Sequence, residues 1–173
     1  MEVKIKFSQK RVRTISAKVV GNVMEVNAPA GMSEQRLQKI IDKFKARFEK
    51  QNLKQELNKT AETLQETAQH LNRKYFSGKL EIKSIKYSVD QDKINGSCNS
   101  KAKTIRISHR LKKMPNWVRD YVIIHELAHL IEPNHSKNFW NLVYKYKLAE
   151  RARGYLIAKG LESSEHEARD IES

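Results

Sequence analysis

Along residues 2 to 28 apolar and polar positions alternate with the period of β-strands. Val3, Ile5 and Phe7 share one face, Ile15, Ala17 and Val19 repeat the pattern, and Met24, Val26 and Ala28 form a third run. Val20-Gly21-Asn22-Val23 reads as a hairpin turn, and Ala28-Pro29-Ala30-Gly31 ends the small sheet. The period then changes. Ser33 suits an N-cap with Glu34 at the positive end of the helix dipole, and Leu37, Ile40, Ile41, Phe44 and Phe48 follow helical spacing. Between Asn52 and Asn58 the pattern weakens, which predicts a break before a second helix carrying Leu64, Ala68, Leu71 and Tyr75, stopped at Gly78.

Leu80 and Ile82 give way to Ile85, Tyr87 and Val89, a phase change that predicts a bulge or turn between short strands. Gly96-Ser97-Cys98 reads as a tight turn entering a strand, and Thr104 to Ser108 as a short strand. Pro115 fits the first turn of a helix along which Trp117, Val118, Tyr121, Val122, His125 and His129 lie, and Pro133 forbids its continuation. Ser136 can cap a last helical region with Phe139, Trp140, Val143 and Tyr144 as its apolar positions, interrupted at Gly154 and Gly160. Strands, helices, strands and helices in that order predict an α+β fold with an antiparallel N-terminal sheet. At 173 residues the chain suits a single domain over 1–173. Its parts are a β region at 2–30, helices at 33–78, a core at 79–160 and an acidic tail at 161–173.

Charge changes the picture. The net charge is +14. Residues 1 to 60 hold 14 Lys/Arg against 6 acids and residues 61 to 118 hold 12 against 5, whereas residues 119 to 173 hold 8 against 9. The basic excess therefore precedes the histidine segment, and it favours DNA or another polyanion as a partner. The run KTIRISHRLKK, with Lys103, Arg106, Arg110, Lys112 and Lys113 and no acid, is where such a partner is expected. Its bland alternative is a solvated strand edge on which lysines guard against aggregation. The single cysteine, Cys98, excludes an internal disulfide and any CxxC metal site, so a reducing, cytoplasmic setting is the default. The first residues have no apolar signal-peptide core, and no apolar run approaches a membrane span.

The stretch HELAHLIEPNH, residues 125 to 135, carries the candidate chemistry. His125 and His129 are one helical turn apart on one face, a spacing that lets two imidazoles grip one ion. Glu126 is rotated by about 100° from His125, beside such an ion rather than at it, where it can hold and deprotonate water. A purely structural zinc site has no use for that glutamate, whereas a hydrolytic one with three protein ligands and an open fourth position does. His135, beyond Pro133, is the first candidate for the third ligand, and Glu150 on the next helical region is the alternative. Ordinary core histidines would each need a polar partner, and nothing else nearby explains two on a core-facing helix. The chemistry expected is peptide hydrolysis through a zinc-bound water with Glu126 as general base. A group stabilising the oxyanion is also needed, for which His109, Tyr144, Tyr146 and Tyr155 are unranked candidates.

The stretch YVIIHELAHLIEPNHSKNFW resembles the YgjP-like zinc metallopeptidase family, whose relatives are the WLM and SprT-like proteases that act on proteins bound to DNA. KRVRTISAKVV, VMEVNAPAGMSEQRLQKII and Gly96-Ser97-Cys98 extend the similarity over most of residues 3 to 160. The resemblance implies a zincin-like core of sheet plus HExxH helix, and one zinc ion per chain. It also implies ligands at His125, His129 and His135, with Glu126 as catalytic base. One departure stands out: the family has Arg-Trp before Gly-Ser-Cys, and this chain has Ile94-Asn95.

Overall fold

The computed structural model describes residues 2–59 and 61–161. The chain divides into two compact units, residues 1–52 and 53–173, and the boundary falls inside a helix. The expected acidic tail lies outside the described residues from 162 onward.

The first unit contains β1 (Glu2–Ser8), β2 (Ser16–Val20), β3 (Val23–Pro29) and the first part of α1 (Glu34–Lys59). The hairpin from β2 to β3 turns at Gly21, whose positive φ of 61° suits glycine there. The sheet is not wholly antiparallel: β3 is central, antiparallel to β2 and parallel to β1. Alternation reveals which side chains share a face but carries no information on strand direction. Met24, Val26 and Ala28 point from β3 into a core completed by Leu37 and Ile41 of α1. α1 does not break between Asn52 and Asn58. That segment has no proline or glycine and is rich in Lys, Gln, Glu and Leu, so helix propensity carries it through where the apolar period fades.

The second unit holds α2 (Ala61–Phe76), β4 (Ser84–Ser88), β5 (Gly96–Asn99), β6 (Thr104–Ser108), α3 (Asn116–Ala128), α4 (Lys137–Val143) and α5 (Ala149–Ala158). α2 ends as expected at Gly78, where φ is 72° and the amide donates back to the Asn72 carbonyl at 3.0 Å. Leu80 and Ile82 form no strand. The Asn72 side chain instead pins the main chain of Leu80 through both its amide atoms. Gly96-Ser97-Cys98 is strand rather than turn, because β5 pairs antiparallel with β6 while β4 pairs parallel with it. The order is β4-β6-β5, so β5 is an outer strand and β6 the central one. The reading of KTIRISHRLKK as a strand edge is thereby corrected. Gly154 does not interrupt α5; the helix stops near Gly160, whose φ is 64°.

Ile85, Ile105 and Ile107 of this sheet, Leu64, Ala68 and Leu71 of α2, and the whole inner stripe of α3 make one core. α3 is the most enclosed element: nine of its residues, from Val118 to Ala128, are buried. Its apolar packing against the sheet anchors the histidines it carries. No helix among the described residues is long and apolar enough to cross a membrane.

Candidate metal centre

α3 ends at Ala128, and His129 occupies the C-cap with φ −66° and ψ −15°, still helical, so its ring stays on the face of His125 one turn earlier. The tail of the helix tightens through amide bonds from Leu130 to the Leu127 carbonyl and from Ile131 to the Ala128 carbonyl. Pro133 then turns the chain. The Ser136 amide closes onto the Asn134 carbonyl at 2.7 Å, and the Ser136 hydroxyl caps α4 by accepting from the Phe139 amide at 3.2 Å. These two devices hold His135 over the end of α3. The three imidazoles converge, with one ring nitrogen from each within 4.8 Å of the others.

Two features fit a metal. The Nε2 atoms of His125 and His135 lie 3.1 Å apart. Bare nitrogen lone pairs repel at that distance, so a proton or cation belongs between them; two donors on one tetrahedral zinc sit about 3.3 Å apart. The Nδ1 of His129 is 3.1 Å from the Glu132 carbonyl. A carbonyl only accepts, so Nδ1 carries the proton and Nε2 keeps its lone pair for a metal. Glu150, the alternative third ligand, is exposed on α5 and is not in the cluster.

Beneath the three rings lies Phe139, fully buried, with centroid distances of 4.8, 4.4 and 4.7 Å to His125, His129 and His135. In the sequence it reads as an ordinary apolar position of α4, and only the fold reveals it as the floor of the cluster. Trp140 stacks on His135 at 5.7 Å, and Tyr144 on Trp140 at 5.4 Å.

Glu126 is buried, at 4% exposure, and with His129 and His135 it lines a cavity of about 470 Å³. The opposite wall is β5. Gly96 sits so close that a Cβ placed there would lie 2.8 Å from both Cγ and Cδ of Glu126. Glycine is therefore needed here for space, not for backbone freedom. Cys98 also lines the cavity; burial, followed by the charge of Glu126, pushes its thiol up to about 12.

The loop before Gly96, where the chain departs from the family's Arg-Trp, is tied down by its own network. Arg110 donates to the Ser108 hydroxyl at 3.0 Å and to the Ile94 carbonyl at 3.1 Å, and the Ser108 amide donates to the Asn95 carbonyl at 2.8 Å. Asn95 also donates to the Leu161 carbonyl. Of the oxyanion candidates, Tyr146 donates its hydroxyl to the Trp117 carbonyl at 3.0 Å, Tyr155 packs edge-on against Trp117, and His109 lies 3.3 Å from the Ser88 carbonyl. Tyr144 alone of the four is joined to the histidines by ring contacts, through Trp140.

The model of the YgjP-like metallopeptidase domain matches residues 46–147, more than half of the chain. The chain belongs to the YgjP-like metallopeptidase family. The crystal structure of the metallopeptidase zymogen of Pyrococcus abyssi abylysin is similar in fold, with a TM-score of 0.50 at 20% identity, over 57% of this chain and 96% of that one. That likeness supports the zincin-like α+β fold of the YgjP-like domain. No curated protein matches the chain significantly. Membership in a metallopeptidase family implies a metal, and the three histidines form a group able to hold one.

Proposed function

We propose that the chain is a zinc-dependent peptidase in which His125, His129 and His135 hold the ion and Glu126 is the general base. The observation that carries this reading is the convergence of three imidazole nitrogens beside a buried carboxylate at the wall of an open cavity. Three nitrogen donors leave a fourth position for water or substrate, the donor set of hydrolytic rather than structural zinc. Held by these three histidines, zinc would supply a bound water of pKa about 7 and a Lewis acid for the carbonyl.

The chain's own groups do the rest. Glu126 takes a proton from the attacking water as its oxygen bonds to the scissile carbonyl carbon, and returns it to the amide nitrogen as the C–N bond breaks. Glu126 is buried and packs against Gly96 of β5, which limits the space open to its carboxylate. β5 is an outer strand whose Gly96, Ser97 and Cys98 line the same cavity. Its unpaired side suits a substrate in extended conformation, held by main-chain hydrogen bonds across the mouth. Substrates are then unfolded or extended segments of protein.

Glu126→Gln tests the assignment. It keeps the shape of the side chain and removes its basicity, so zinc should remain near one per chain while hydrolysis falls by at least about 10²-fold, the contribution of a positioned general base. Loss of zinc in this variant, or retained turnover, would contradict the role given to Glu126.

A further inference from the structure

On the second unit, the sheet carries a separate concavity of about 350 Å³ lined by Lys54, Lys86 and Arg106 and by the hydroxyls of Ser84, Ser88 and Thr104. We infer that this concavity is a binding site for the phosphodiester backbone of a nucleic acid. The inference does not depend on the peptidase reading.

The placement of the cations is set by strand register. Lys86 of β4 stands directly opposite Arg106 of β6, so the two side chains leave neighbouring strands about 4.8 Å apart. Both are exposed, whereas the alternating residues Ile85, Ile105 and Ile107 are buried in the core on the other face. Lys54 of α1 supplies a third ammonium from a different element. Among the described residues none of the three makes an ion pair. A face selected only for solubility mixes its charges, and lysines that blunt a strand edge belong on an edge. Here the cations gather in a hollow, and although Lys86 is on the outer strand β4, Arg106 is on the central strand and Lys54 on a helix. One acid, Asp90, also lines the hollow.

The chemistry fits phosphate better than carboxylate. Phosphodiester oxygens take Arg and Lys together with Ser and Thr hydroxyls, and this hollow presents all four. The sequence around the hollow is basic too: residues 79 to 113 carry 10 Lys/Arg against 3 acids, of which Arg110 is committed to the Ser108 hydroxyl and the Ile94 carbonyl. A single phosphate needs no such extension, whereas a chain of phosphates does.

The test is fluorescence anisotropy of a labelled oligonucleotide, as single strand and as duplex, titrated with the full-length protein at several salt concentrations. The Lys86→Gln/Arg106→Gln double variant should bind at least about tenfold more weakly, with a log–log salt slope smaller by about 1.4 for single strands, or about 0.7 for each phosphate no longer neutralised. Lys54→Gln, on a separate helix, should weaken binding in the same direction. Lys145→Gln/Lys147→Gln, which removes the same charge from exposed positions elsewhere, should stay within about twofold of wild type if the site is local. The two arms identify which form of nucleic acid the hollow prefers. Equal weakening in both double variants would reduce the effect to diffuse charge and overturn the site. Absence of binding at physiological salt would overturn it too. Tighter binding of a polyglutamate peptide than of either oligonucleotide would reassign the hollow to acidic polypeptide.

Discussion

Replacing Gly96 by alanine tests how tightly the carboxylate of Glu126 is held. The new Cβ would lie 2.8 Å from Cγ and Cδ of Glu126, whereas carbon atoms rest at about 3.5–4.0 Å, so something must move by at least about 0.7 Å. The part that gives way is the Glu126 side chain, whose carboxylate and Cγ meet the new Cβ. Gly96 is fixed by pairing with Ile107 of β6, and Glu126 is rooted in the buried α3. Overpacking of this kind costs about 1–3 kcal/mol of stability. The larger effect falls on activity, since a displacement of about 1 Å in a reacting group can cost about 10²-fold, or about 2.7 kcal/mol of barrier. The three nearest atoms all belong to Glu126 rather than to a histidine, so zinc content should not change. The assay is kcat/KM on an unfolded protein substrate, with zinc per chain and Tm measured on the same preparation. Gly154→Ala is the control: it sits within α5, and its Cβ would meet nothing within 4 Å. It should leave turnover unchanged and raise stability by up to about 1 kcal/mol. Wild-type kcat/KM in a folded Gly96→Ala protein would refute the idea that Glu126 must be held where it is.

Two further substitutions probe the surroundings of the cluster. Phe139→Ala removes the floor beneath all three imidazoles and should cost about 3–5 kcal/mol in a denaturant titration, with weaker zinc retention against a chelator; retention equal to wild type would show that the rings hold themselves. Asp120 has its carboxyl raised above the ordinary range by burial, against the pull of Arg119, His70 and Lys74. For a raised acid the stabilising contribution is complete below the ordinary value of about 4 and is lost as pH climbs through the folded value. Asp120→Asn should therefore gain Tm relative to wild type at neutral pH and lose that gain in acid, and a Tm difference independent of pH would contradict the assignment.

How much of this was legible in the sequence depends on the range of the interaction. His125 and His129 are brought together by helical periodicity alone, and Pro133 and Ser136 signal the turn and cap that return His135, all within a dozen residues. Most of the helical spans and the α+β class follow from local period in the same way, although α1 runs through 52–58 where the period fades and α5 runs through Gly154. What the sequence left hidden is set by distant partners. Nothing in the alternation of β1 says that it runs parallel to β3. Gly96 to Asn99 has no apolar alternation because β5 contributes mainly its backbone, to β6 on one side and to the cavity on the other. The closeness of Gly96 to Glu126 spans 30 positions of sequence, and no spacing rule reaches that far. Phe139 has the same apolar signature whether it fills a core or supports a cluster of rings.

The central claim is that three histidines of this chain hold one metal ion. The most direct measurement is zinc per chain by elemental analysis, on wild type and His135→Ala prepared side by side. The account predicts close to one zinc in wild type and a clear loss in the variant, because two imidazoles on one helix cannot complete the site. No zinc in wild type after the metal is added back would contradict it, and so would full retention in His135→Ala.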